Sequence, residues 1–282
     1  MTAPARPLRC GADTLSEDEG SMNRFISTTV RRVVILSAGQ GKRLRPLTDG
    51  CPKCALDIGG KTVIEWQIDA LLNAGLEQIH PVLGYGAAEV EALLARRYGK
   101  DQVRPLFNPF FEVADNLGSC WMAREKMTED FLLLNGDTLF EPGVLTRLLN
   151  SPRADITLAV DHKTHYDDDD MKVQLDGERL QAVGKDLTPS RANGESIGML
   201  LFRDAGPAIF ANALDDAVRD PTGLRRWYLW VINSLARSGA VRTCSIAGLR
   251  WAELDFPKDL ADMEALVCGV NAVDAGVAGS GQ

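Results

Sequence analysis

The sequence predicts an α/β protein built on a Rossmann-like, doubly wound sheet, mixed but mainly parallel. Three observations carry that prediction. Short β-branched runs alternate with helix-length amphipathic stretches, the rhythm of stacked βαβ units. The apolar run at 33–36 breaks at Gly39 and Gly41, as expected where a buried parallel strand hands the chain to a loop. After the run at 156–160 the rhythm changes, and an Asp176-Gly177 hairpin signal marks an inserted, more antiparallel lid.

Taken in order, residues 1–22 carry Pro, Gly, Ser and acidic residues without apolar periodicity, and are expected to form a disordered extension with no secretory h-region. After the first strand, 55–58 reads as a short strand and Gly59-Gly60 as a turn. Thr62 and Glu65 have capping-box spacing, opening a helix whose Ile64, Ile68, Leu71 and Leu72 share one face and which Gly75 ends. Strands follow at 79–83, 103–107 and 131–134, with a helix at 87–97 after Gly84-Tyr85-Gly86. The second half reads as strands at 156–160, 171–175, 179–183, 196–202, 241–246 and 251–254. Helices are expected near 205–218, 226–237 and 257–267. Residues 30–270 are therefore read as one domain, with halves at 30–150 and 151–270, and 271–282 as a Gly/Ala/Ser tail. No internal repeat is visible.

The chain has 282 residues, enough to bury a substantial core, with 45% hydrophobic and 25% charged residues. Its net charge of -8 argues against a nucleic-acid partner, because no basic patch is concentrated enough to offset it. No apolar run approaches the roughly 18 residues of a membrane span. The six cysteines are scattered. Cys51 and Cys54 have the spacing of a metal or redox pair, but no second pair or histidine cluster accompanies them. A reducing cytoplasm fits this usage best.

The stretch from Val33 to Lys53 organises the rest. Glycine at 39 and 41 lets backbone N–H groups approach an anion closely, and Lys42, Arg43 and Lys53 add charge for a polyphosphate. A dinucleotide fingerprint would need a third glycine where Leu44 stands, and a P-loop would need wider glycine spacing and a hydroxyl after its lysine. What remains is G-x-G-x-R-L-x-P-L-T over 39–48, followed by Pro52-Lys53. That pattern resembles the signature of the nucleotidyltransferases that activate sugar phosphates and phospho-alcohols. Segments 64–68, Gly84-Tyr85, Asn116-x-x-Ser119 and Tyr228-x-Trp230 look closer to bacterial choline-phosphate cytidylyltransferases, and 171–185 also to inositol-phosphate and phosphonate cytidylyltransferases. Lys42 departs from the commonest pattern, which has Ser or Thr there.

The resemblance implies a nucleotide-diphospho-sugar transferase type of fold, with CTP and a small phosphorylated or phosphonate acceptor as partners and Mg2+ as cofactor. It implies nucleotide contacts from Ala38, Gly39, Gly41, Lys42, Arg43, Gly84 and Tyr85, with Arg43, Lys53 and Lys185 catalytic. Acceptor contacts are expected from Asn116, Ser119, Lys185, Glu195, Tyr228 and Trp230. Asp137 follows a buried strand at the edge where open α/β sheets bind ligands, and a carboxylate there suits a hard divalent cation. Asp255 is the expected second metal ligand; Glu253, on the same face by strand alternation, is the competing candidate. Trp227 and Trp230, three apart on a helix, are expected to pack as core, leaving Tyr228 to face a quaternary ammonium. Residues 167–170, four aspartates, read as a solvated run, with attraction of a second metal or a cationic acceptor as the lesser alternative. A sugar-1-phosphate nucleotidylyltransferase using UTP, GTP or dTTP is the rival reading. A non-catalytic regulatory module is more remote, because Arg43, Lys53, Asp137 and Asp255 are all present. A dehydrogenase fits the sheet but not the loop. Monomer and homodimer are both compatible with the sequence.

Overall fold

The computed structural model describes residues 30–278; the extension expected at 1–22 lies outside them. The strands are β1 (Arg32–Ser37), β2 (Asp57–Ile58), β3 (Lys61–Thr62), β4 (Gln78–Leu83), β5 (Leu106–Phe107), β6 (Phe131–Asn135), β7 (Thr138–Phe140), β8 (Ile156–Asp161), β9 (Lys172–Asp176), β10 (Arg179–Val183), β11 (Gly194–Phe202), β12 (Val241–Ser245) and β13 (Trp251–Glu253). The helices are α1 (Val63–Asn73), α2 (Ala87–Arg97), α3 (Asn116–Ala123), α4 (Pro142–Leu149), α5 (Gly206–Arg219), α6 (Tyr228–Arg237) and α7 (Leu260–Ala278).

Nine strands form one sheet in the order β5-β4-β1-β6-β11-β8-β12-β10-β9. The first four run parallel. β11 is antiparallel to both β6 and β8, while β12 is parallel to β8. The β9–β10 hairpin expected as a lid is hydrogen-bonded into this same sheet, and the start of β11 also pairs with β9. Side chains alternate across the sheet as period-two geometry requires. Val33, Ile35, Leu132 and Leu134 point into one core with α1, α2 and α4. Val34, Phe131 and Leu133 point into the other, with α3, α5 and α6. A third, smaller core joins α7 to β7 and the first loop through Leu44, Leu139, Leu254 and Met263.

Several boundaries differ from the sequence expectation, each for a local reason. The strand expected at 55–58 keeps only two residues, because Lys53–Ala55 closes a 3-10 turn, with the Ala55 N–H donating to Pro52 O at 2.8 Å. That turn presents Lys53 to the sheet edge. The strand expected at 103–107 survives as β5 and one bridge from Val103 to Ile79, with Pro105, which has no N–H, between them. Helix α4 lies where the sequence expectation has no helix; Pro142 in its first turn is its start signal. The last helix runs to Ala278, beyond the point where a tail was placed. The Thr62–Glu65 capping box is present with both bonds made. Among the described residues no helix is long and apolar enough to cross a membrane, and all five cysteines are free thiols.

Candidate active site

The carboxyl ends of β1 and β6 open onto a cleft of about 690 Å³. Its floor is the 37–43 loop. Gly41 adopts a left-handed backbone, and a Cβ there would lie 2.9 Å from Lys53 Cβ, so the loop packs directly against the lysine. A Cβ at Gly39 would meet nothing, because this glycine faces the open cleft. Thr48 is buried and donates to Gly41 O at 2.9 Å, tying the loop to the segment behind it. At the end of β6, a Cβ on Gly136 would sit 2.3 Å from Ser37 Oγ and 2.6 Å from Leu36 O. Only glycine lets the two strand ends approach this closely.

Charges converge at the cleft mouth. The Lys53 ammonium donates to Asp137 Oδ2 at 2.7 Å and to Asp255 Oδ1 at 2.8 Å. Arg43 Nη2 donates to the other Asp255 oxygen at 2.7 Å, and its guanidinium lies 4.9 Å from the Phe256 ring centroid. Burial works against the Lys53 charge, but the two aspartates outweigh it and raise its pKa above the ordinary value. Burial likewise opposes ionised Asp255, yet Lys53, Arg43 and Lys185 hold its carboxyl below the usual range. At Glu253 the pull of Lys53 and Lys185 is outweighed. Burial, then Asp137 and Asp255, push its carboxyl up to about 8.

Asp137, Glu253 and Asp255 each offer an oxygen within 4.8 Å of the others. Asp137 Oδ1 is buried with no hydrogen-bond partner. Three hard oxygen donors and one unsatisfied buried oxygen fit a divalent cation of the magnesium type. Strand alternation had placed Glu253 and Asp255 together, and Leu254 between them is fully buried on the opposite side.

The other expected residues divide into groups. Ala38, Gly39, Gly41, Lys42, Arg43, Asn116, Ser119, Asp137 and Asp255 line the cleft. Gly84 and Tyr85 do not; they brace the loop from behind, where the Tyr85 N–H donates to Ala38 O at 3.0 Å and a Cβ at Gly84 would meet the same oxygen at 2.6 Å. Asn116 Oδ1 accepts the Tyr228 N–H at 2.9 Å, and buried Ser119 accepts from Asn108 at 3.0 Å. Lys185 follows β10, with its ammonium 5.4 Å from the Trp227 ring centroid. Glu195 is buried in the sheet beside Lys163, 2.5 Å away, and burial, only partly opposed by Lys163, pushes its carboxyl to about 7.

The aromatic helix reverses the expected arrangement. Tyr228 is fully buried and its hydroxyl donates to Asn135 Oδ1 at 3.3 Å, whereas Trp227 and Trp230 are exposed. Trp227 is the N-cap, outside the helical repeat, so the three-residue spacing did not place it on the Trp230 face. Trp230 instead stacks on Arg226 at 3.9 Å. The run at 167–170 is not freely solvated either: Asp170 is buried against Lys163, and Asp169 reaches Arg43. The lysines that hold the run, Lys163 and Lys172, flank it closely in sequence, whereas Asp169 reaches cations far along the chain, Arg43 and Lys185.

The MobA-like NTP transferase domain profile matches residues 33–235. The chain is 29% identical over 237 residues to CMP-5'-(3-aminopropyl)phosphonate synthase of Streptomyces rubellomurinus, covering 81% of this chain and 37% of that protein. It is 32% identical over 240 residues to the bifunctional IPC transferase and DIPP synthase of Rubrobacter xylanophilus, covering 83% and 51%. The chain thus spans between about a third and a half of the length of these curated relatives. Among solved structures, the inositol-1-phosphate CTP transferase from T. maritima superposes with a TM-score of 0.71 at 21% identity, over 86% of this chain and 98% of that one.

Proposed function

The chain belongs to the MobA-like NTP transferase family, and from that premise we propose that it is a magnesium-dependent cytidylyltransferase. It would join CTP to a small phospho-alcohol or phosphonate, giving a CMP- or CDP-activated product and pyrophosphate. The observation that carries this reading is the Lys53 ammonium held between Asp137 and Asp255 at the mouth of a glycine-floored cleft. The names of two relatives, an aminopropylphosphonate CMP synthase and an inositol-1-phosphate CTP transferase, support the choice of nucleotide and acceptor class.

The mechanism is a direct displacement. An acceptor phosphate or phosphonate oxygen bonds to the α-phosphorus of CTP while the bond to the bridging oxygen of pyrophosphate breaks, and both electrons leave with pyrophosphate. The attacking oxygen is already anionic, so no side chain has to remove a proton. Alignment and charge neutralisation are the protein's contribution. The 39–43 amides and Arg43 hold the β- and γ-phosphates. Lys53, kept charged by its aspartates, turns toward the α-phosphate, and Lys185 orients the acceptor. Asp137 and Asp255, with Glu253 beside them, are the residues that would hold magnesium, which when bound neutralises triphosphate charge.

Pyrophosphate release tests this directly, with CTP, UTP, GTP, ATP and dTTP set against phosphocholine, aminoethylphosphonate, inositol phosphate and hexose 1-phosphates. Turnover restricted to CTP and one phospho-alcohol or phosphonate is the expected result. Turnover with a hexose 1-phosphate and another nucleotide would keep the chemistry and reassign the substrates.

A further inference from the structure

The β8–β9 connection carries four consecutive aspartates, and the reaction described above uses none of them. The segment is pinned at several points. Buried Lys172 donates to Asp167 O at 2.6 Å, and buried Asp170 pairs with Lys163 at 2.9 Å. Asp167 Oδ1 accepts the backbone N–H of Asp169 at 2.9 Å and of Asp170 at 3.1 Å. These bonds aim Asp169 into the site. Its Oδ1 lies 3.4 Å from Arg43 Nη1 and 3.7 Å from Lys185 Nζ. A single carboxylate oxygen therefore bridges the nucleotide-side cation and the acceptor-side cation.

We propose that Asp169 is an internal anion, occupying in the free enzyme the place between Arg43 and Lys185 that substrate phosphoryl oxygens take on binding. The inference rests on the roles given above to those two cations. Asp169 is mostly exposed, with 61% of its side chain accessible, so its ion pairs are screened and weak. A contact that must yield to substrate has that property. Arg43 keeps Asp255 at 2.7 Å when Asp169 leaves, and Lys185 keeps the Trp227 face, so neither cation is stranded. A phosphoryl group carries more charge and more acceptor oxygens than the carboxylate it displaces, and wins the exchange.

The test is calorimetric binding of inorganic pyrophosphate in low-salt, magnesium-free buffer to wild type, Asp169→Asn and Asp168→Asn. Asp168 is the exposed neighbour, and its substitution makes the same change in net charge. Asp169→Asn is expected to bind pyrophosphate roughly threefold to tenfold more tightly than wild type. Asp168→Asn should shift it far less, and the Asp169→Asn advantage should shrink at about 1 M salt. Asp169→Ser repeats the comparison should the amide make a bond of its own. Equal affinity in Asp169→Asn and Asp168→Asn, or weaker binding in Asp169→Asn, overturns the proposal. Pyrophosphate leaves in any nucleotidyl transfer and no turnover is read, so a wrong choice of nucleotide or acceptor does not alter this result.

Discussion

Removing the Lys53 ammonium would leave Asp137, Glu253 and Asp255 facing one another across less than 5 Å with no cation between them. Lys53→Met keeps most of the side chain's bulk and isolates the charge. Turnover is expected to fall by about two to three orders of magnitude, the usual cost of losing one charge-stabilising donor. Stability in metal-free buffer should fall by about 2 kcal/mol, because a charge-assisted hydrogen-bond pair is lost and its acceptors stay half-buried. Magnesium should restore much of that stability without restoring turnover. Turnover near the wild-type rate would sink the role given to Lys53; a melting temperature indifferent to magnesium would sink the metal assignment. Most of these side chains could be picked out from the sequence, because glycine spacing and a strand-terminal aspartate are local signals. Glu253 could be picked out only as one of two candidates. Alternation put both carboxylates on one face, and it took the β13–β7 pairing to bring that face against Asp137.

At the scale of elements, helix α6 shows how one residue of boundary changes a reading. The expectation started the helix near 226 and placed the two tryptophans on one buried face. Starting at Tyr228, the helix buries Tyr228, Leu229, Val231 and Ile232 and leaves Trp230 outside. Tyr228→Ala should therefore cost about 3–5 kcal/mol in urea denaturation, as expected for emptying a fully buried aromatic site. Trp230→Ala should stay within about 0.5 kcal/mol of wild type. The opposite ranking would mean that the aromatic faces are assigned the wrong way round. The 53–55 turn makes a similar point. The expected strand began at Ala55, but the Ala55 N–H closes onto the Pro52 carbonyl, and the curvature of that turn is what aims Lys53 at the cleft.

For the whole molecule, strands from both sides of position 150 lie in one sheet, with β6 and β11 paired through Leu132–Leu201 and Leu133–Leu200. We propose on this basis that residues 30–270 unfold as one cooperative unit. Thermal unfolding followed by far-ultraviolet circular dichroism and by tryptophan fluorescence should then give coincident transitions. The tryptophans suit this test because they lie in both halves, from Trp66 to Trp251. Two separated transitions would show that the halves are independent domains.

The sequence by itself determined the alternation of strands and helices and the glycine loop, and it singled out Arg43, Lys53 and Asp137, with Asp255 or Glu253, as the charged residues that the structure brings together. Backbone conformation and strand period are properties of neighbouring residues, and the loop signature lies within one short stretch. Only the tertiary structure decided which aromatic of α6 is buried, that Gly84 and Tyr85 brace the loop instead of lining the cleft, and that Asp169 reaches Arg43. Those outcomes depend on which distant surface packs against each element. The partners that cover Tyr228 and back the loop, and the Arg43 that meets Asp169, come from other parts of the chain, and no local pattern encodes their approach.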